Sequence, residues 1–258
     1  MCCVWYIGRN IPYLRISRKD MQIDKQEIIK QLKISLPMGF QMSIIAIGSV
    51  IIQVMLNTLG TTSVAGRIDQ LATMPASSFG VTMATYCAQN LGARKFGRIR
   101  TGIKQTLLLN CSISAILGAL IIIFGKPLVN MFIGPNDPAV TNLAQTYFHL
   151  NSSMYWFLAI LFTVRYALQG LGQTMVPTLA GVFELIMRII AGVALVPMFG
   201  FAGASMANPL AWIGSVSVLV ASYILTMRNL RKREQGLIGI KLDKPQERAP
   251  QVEAQSEK

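Results

Sequence analysis

The spacing of charged side chains constrains this chain more than any other feature. No Asp, Glu, Lys or Arg occurs from Ile34 to Gly66, Gln70 to Ala93, Gln105 to Gly125, Pro138 to Val164 or Ile189 to Met227, runs of 33, 24, 21, 27 and 39 residues. A helix rises about 1.5 Å per residue, so about 20 residues cross the hydrocarbon layer of a bilayer. The last run is too long for one crossing, and Pro197 with the glycines of Phe199-Gly200-Phe201-Ala202-Gly203 divides it. The runs predict six membrane helices, near 35–59, 64–90, 105–125, 144–168, 176–198 and 205–227. Irregular backbone cannot face lipid, so the β-branched residues in these runs are expected to be helical despite their propensity. The fold class is therefore all-α, a polytopic membrane protein built as a six-helix transmembrane bundle.

Composition points the same way. Apolar residues make up 52% of the chain and charged residues 14%, with a mean hydropathy of +0.47. That is too little charge to solvate a globular surface of this size. The net charge of +13 would fit a nucleic-acid partner if the basic residues made one patch. Instead they mark a topology. Seven lie before the first span, five between spans two and three and eight after span six, and Arg165 ends span four. Only Arg67 and Lys126 fall on the opposite side, and Arg188 lies within a span. The positive-inside rule then puts both termini in the cytoplasm, as an even number of crossings requires. No nucleic-acid partner is expected; the lipid bilayer is. Cys2, Cys3, Cys87 and Cys111 have no metal-ligand spacing, and no catalytic cluster or phosphate-cradling loop is present.

Three segments follow. Residues 1–33 read as the end of a preceding helix and a cytoplasmic linker, with a short amphipathic helix from Asp24 to Lys33 whose Asp24 and Glu27 have capping-box spacing. Residues 34–227 are the transmembrane lobe, and 228–258 a basic, disordered cytoplasmic tail.

Ionisable groups inside a bilayer cost roughly 2.5–3.5 kcal/mol at mid-span, so each demands a reason. Glu184 and Arg188, four residues apart, share one face of span five. They are either a neutralised pair that locks helix packing or a cation-binding carboxylate facing a cleft; the adjacent guanidinium opposes proton uptake, which favours packing. Asp69 and Arg67 point to different faces near the external end of span two, where solvent can reach them. Gln41 lies one turn beyond Pro37, where a freed carbonyl can face a cavity. Asn57, Tyr86, Gln89, Asn90, Asn110, His149 and Asn151 read as interhelical polar contacts, and Ser114 and Gly118 as close-packing positions.

Five stretches in order carry a family resemblance: Ser35-Leu36-Pro37-Met38-Gly39-Phe40-Gln41; Arg67-Ile68-Asp69-Gln70-Leu71; Ala84-Thr85-Tyr86-Cys87-Ala88-Gln89-Asn90-Leu91-Gly92-Ala93; Gln169-Gly170-Leu171-Gly172-Gln173-Thr174; and Glu184-Leu185-Ile186-Met187-Arg188. Together they resemble the multidrug and toxic compound extrusion (MATE) transporters, whose twelve helices form two lobes. The resemblance places this chain on the carboxy-terminal lobe, helices seven to twelve. It implies drug efflux by antiport of a coupling cation, Na+ or H+, with no bound cofactor, in a bacterial plasma membrane. Amphiphilic organic cations or drugs are the implied substrates, and a missing amino-terminal six-helix lobe or a second copy the implied partner. Glu184, Arg188, Asp69 and Gln41 are the candidates for substrate binding or ion coupling. Two departures matter. Val64-Ala65-Gly66 adjoins Arg67-Ile68-Asp69 where family members generally have intervening small residues, and spans 35–59 and 144–168 lack the acid that some members use for cation coordination. A truncated lobe without activity alone, a membrane structural subunit and a lipid-linked oligosaccharide exporter are the competing readings.

Overall fold

A computed structural model describes residues 25–58, 63–133 and 138–236. Among them every element is helical: α1 (Lys25–Thr58), α2 (Ser63–Gly92), α3 (Phe96–Ile133), α4 (Pro138–Ser152), α5 (Tyr155–Gly170), α6 (Met175–Ile190) continuing through a π-helical turn (Ala191–Leu195) into α7 (Val196–Phe199), α8 (Phe201–Ser205) and α9 (Ala207–Glu234). The apolar octapeptide at the start, the linker to Asp24 and the tail beyond Gly236 lie outside the described residues.

The elements differ from the expected spans in instructive ways. The short amphipathic helix and the first span are one continuous helix: α1 runs unbroken through residue 33, with Pro37 inside it. Helix α3 extends from Phe96 past Lys126 and Pro127, 38 residues in all, about 57 Å at the standard rise and longer than a bilayer is thick. The expected fourth span, 144–168, is two helices with a break at Ser153 and Met154. The run Asn151-Ser152-Ser153 supplies the cause. The Asn151 side chain donates to the Tyr147 and Ser205 carbonyls, the Ser153 hydroxyl donates to the Leu150 carbonyl, and the Met154 amide turns back to Asn151; these polar groups compete with the regular ladder. The break expected from Pro197 and the glycines of Phe199–Gly203 falls at Gly200, whose φ of 54° is a conformation glycine adopts without a Cβ penalty.

Packing builds a bundle with α5 at its centre. Helix α2 packs along α5, α9 along α6, and α1 along α6, while α3 lies against α2, α4 and α5. Arg100 near the start of α3 pairs with Glu234 at the end of α9 at 2.6 Å, Thr178 of α6 donates to the Pro37 carbonyl of α1, and Gln173 donates to Thr226 of α9. The basic α2–α3 turn and the basic end of α9 thus lie at the same end of the bundle as the start of α1.

The radial distribution of side chains is that of a protein dissolved in lipid. Asn110, Asn151, Thr163, Arg165, Glu184, Arg188 and Ser215 are buried, while Met131 (83% exposed), Leu108, Val193 and Ile123 lie outside. In water this arrangement would be unstable; in a bilayer lipid solvates the apolar exterior and interior polar groups hold helices together. The Asn110 amide does so by donating to the carbonyls of Ala76 and Ala159 and to the Thr163 hydroxyl, joining α3 to α2 and α5. Four helical segments, Gln31–Leu56, Phe96–Phe132, Met175–Phe199 and Phe201–Glu234, are long and apolar enough to cross a membrane on their own. The other two crossings are the hydroxyl-rich α2 and the broken α4–α5 pair.

Close backbone approach fixes the register of α5 against α2. A Cβ at Gly170 would lie 2.3 Å from the Ala84 carbonyl oxygen, whereas one at Gly39 meets nothing within 4 Å. Gly170→Ala is expected to destabilise the detergent-solubilised chain by about 1–3 kcal/mol, read as a lower thermal unfolding midpoint, with Gly39→Ala close to wild type.

Candidate functional site

One cavity of about 440 Å³ opens among α1, α2, α4, α5, α6 and α9. Gln41, Asp69, Glu184 and Arg188, placed on three separate helices, all line it. They form two polar centres.

The first is an Arg-Glu-Arg triad. Glu184 gives one carboxylate oxygen to Arg188 Nη2 at 2.8 Å and the other to Arg165 Nη2 at 2.7 Å. All three residues are at most 5% exposed. Arg165 also donates to the Ser215 hydroxyl of α9 at 3.0 Å. The triad therefore ties α5, α6 and α9 together, and its Arg188 guanidinium reaches α1 at Gly48, where an added Cβ would come within 2.5 Å of Nη1. The charge-side count for Arg165 needs correction: it belongs to the buried triad within α5, not to the basic end of a span. Its helix continues to Gly170, so a residue near the end of a charge-free run sits a full turn inside.

The second centre surrounds Asp69. The Tyr155 hydroxyl donates to its Oδ1 at 2.5 Å and the Tyr147 hydroxyl to its Oδ2 at 3.3 Å, while Asn208 of α9 donates to Tyr147. The expected free solvation of Asp69 is thus corrected: both carboxylate oxygens are held by tyrosines of α4 and α5. Arg67 points away and is exposed. Gln41 is fully buried on α1, where its Oε1 accepts from Gln169 Nε2 of α5 at 2.8 Å.

Tyr147, Tyr155, Asn208 and Ser215 were not among the residues singled out from sequence, and Gln169 entered only as part of a family motif. Their only signal is aromatic or polar character on otherwise apolar faces. Of the secondary polar candidates, Asn110 and Asn151 bridge helices as expected, Asn90 bonds within its own helix, and His149 contacts Gln145 one turn earlier. The Asn57 side chain lies outside the described residues.

Similarity to known proteins bears on the fold and the family. The MatE family profile matches residues 37–194, and the chain belongs to that family. Curated relatives include the probable multidrug resistance protein NorM of Thermotoga maritima, 22% identical over 83% of this chain and 48% of its own length. Another is the probable multidrug resistance protein YoeA of Bacillus subtilis, 26% identical over 45% of this chain and 26% of its own length. Among solved structures, a MATE protein in complex with MaL6 superposes with a TM-score of 0.78 at 14% identity, covering 88% of this chain and 53% of the other. An outward-facing multidrug resistance MATE transporter of the MOP superfamily gives 0.78 at 16%, covering 89% and 53%. The chain spans about half the length of these structures and half or less of the curated relatives.

Glu184 compensates two guanidinium groups in a low-dielectric site. Glu184→Gln leaves both uncompensated and is expected to cost about 3–5 kcal/mol, a loss visible as reduced membrane abundance and earlier thermal unfolding. Arg165→Gln leaves the Glu184–Arg188 pair intact and should cost less.

Proposed function

We propose that this chain forms one lobe, the carboxy-terminal one, of a drug-efflux antiporter in a bacterial plasma membrane, with the basic end of the bundle in the cytoplasm. The observation that carries the reading is the cavity: a family member of this fold brings the carboxylates of a buried Glu184 and a half-buried Asp69, two arginines and Gln41 from different helices to one cleft. Ionisable groups inside a membrane protein mark substrate and ion pathways. A second six-helix lobe, from the same polypeptide, a separate one or another copy, closes the cleft. The two lobes rock about it, and a bound coupling cation, Na+ or H+, biases one state because its affinity differs between the two.

Within that cycle Asp69 is the exchangeable acid. Its partners are neutral hydroxyls, which a proton, a Na+ ion or a cationic substrate can replace without breaking an ion pair. Glu184, committed to two arginines, keeps a positioning role. The substrates are amphiphilic organic molecules, which the mixed apolar and polar wall accommodates through Ile52, Leu161, Phe162 and Trp212.

Ethidium accumulation in an efflux-deficient bacterial host tests the proposal. Co-expression with a matching six-helix lobe is expected to lower accumulation, and Asp69→Asn to abolish that effect with membrane abundance unchanged. Efflux that survives Asp69→Asn would refute the exchangeable-acid role. Efflux lost only in step with abundance would assign Asp69 to packing.

A further inference from the structure

The triad is electrically incomplete. Arg165 and Arg188 carry two positive charges, Glu184 supplies one negative charge, and both its oxygens are already engaged. No other carboxylate contacts either guanidinium among the described residues, since Asp69 is held by Tyr147 and Tyr155. The surplus is matched by surplus donors. Arg188 Nε and Nη1, Arg165 Nε and Gln41 Nε2 are buried without a hydrogen-bond partner, although all three residues line the cavity. Buried donors without acceptors each cost about 1–3 kcal/mol, more when charged, and an isolated positive charge in lipid costs more still. Such a group persists where something else completes it.

We propose that the Arg165–Arg188 pole of the cavity is a binding site for an oxyanion, the carboxylate, sulfonate or phosphate group of an amphiphilic substrate. This rests on the transporter reading and narrows its substrate class: molecules carrying an anionic group are taken, with or without a cationic centre that engages Asp69. The geometry fits the chemistry. A guanidinium offers charged donors in one plane, which suit the oxygens of an anion, and the Nη1 side of Arg188, left free by the Nη2 bond to Glu184, faces α1 at Gly48. Nη1 packs against that glycine, so the anion enters as α1 moves away from α6, and binding is coupled to separation of these two helices. Release of the anion lets α1 close on the guanidinium again. An organic cation gains nothing at this pole, because every unpartnered group on Arg165 and Arg188 is a donor.

Trp212 lines the same cavity and reports its occupancy. The full chain, with Trp5→Phe and Trp156→Phe to leave one indole, is placed in nanodiscs of zwitterionic lipid and titrated with hexanesulfonate or hexyltrimethylammonium, probes matched in chain length and opposite in charge. Hexanesulfonate is expected to change Trp212 emission saturably, and hexyltrimethylammonium not to displace it. Arg188→Gln should weaken the sulfonate about tenfold or more, as loss of a hydrogen bond to a charged group predicts. Gly48→Ala, which keeps every charge but crowds Nη1, should weaken it as well. No saturable sulfonate response, displacement by the trimethylammonium probe, or sulfonate affinity unchanged in Arg188→Gln would each overturn the site. Should that variant fail to insert, the contrast between the two probes on the unsubstituted cavity decides alone. The efflux reading is judged separately by ethidium accumulation, so an absent sulfonate site leaves it standing.

Discussion

A buried carboxylate shared between two buried guanidinium groups is the interaction on which this bundle depends. Glu184 makes one short bond to each arginine, and each of those arginines comes into contact with a further helix. Through Ser215 the triad holds α9, through Arg165 it holds α5, and through Arg188 it meets α1 at Gly48. Hydrophobic burial cannot do this work, because lipid tails solvate apolar side chains as well as a neighbouring helix does. Polar contacts and close backbone approach must supply the specificity, and the interior is built from them. The Asn110 knot, the Gln41–Gln169 pair and the Gly170–Ala84 contact are each interhelical.

The same constraint explains where the helices break. A backbone that leaves the regular ladder in lipid needs substitutes for every lost bond. At Ser153–Met154 the substitutes come from Asn151, Ser153 and the Ser205 carbonyl of α8. At Gly200 the chain turns at the end of α7, on the side of the bundle opposite the basic cluster, with local amide bonds from Gly200 to Val196 and from Ala204 to Gly200. The breaks sit where side chains or short-range amides are at hand to satisfy them.

Much of the fold was legible because the charge gaps are long and the bilayer sets a length scale against which to read them. Six crossings, their order and the sharing of one face by Glu184 and Arg188 follow from spacing alone. The break in the fourth crossing did not follow, since Asn-Ser-Ser in an apolar run reads equally as interhelical glue. Arg165 was hidden for a related reason. A charge bounding an apolar run looks like its end, and only the neighbouring Glu184 and Ser215, 19 and 50 residues away in sequence, reveal that it lies inside. Tyr147 and Tyr155 were invisible as a pair, because no helical periodicity brings them to one carboxylate.

That last point bears on how the cavity works. In an unbroken helix, residues eight apart are separated by about 12 Å along the axis and turned by about 80°. Tyr147 and Tyr155 nonetheless bond to the two oxygens of one carboxylate, Asp69 on α2. One tyrosine belongs to α4 and the other to α5, so the break between these helices is what lets both hydroxyls converge. Asp69 is consequently a clasp across a discontinuous helix. Asp69 thereby ties α2 to both halves of the broken helix, while the triad ties α5 to α6 and α9. The two centres in the cavity thus differ physically: the arginine pole joins continuous helices through ion pairs, and the tyrosine-capped acid joins the two halves of a broken one through neutral hydroxyls.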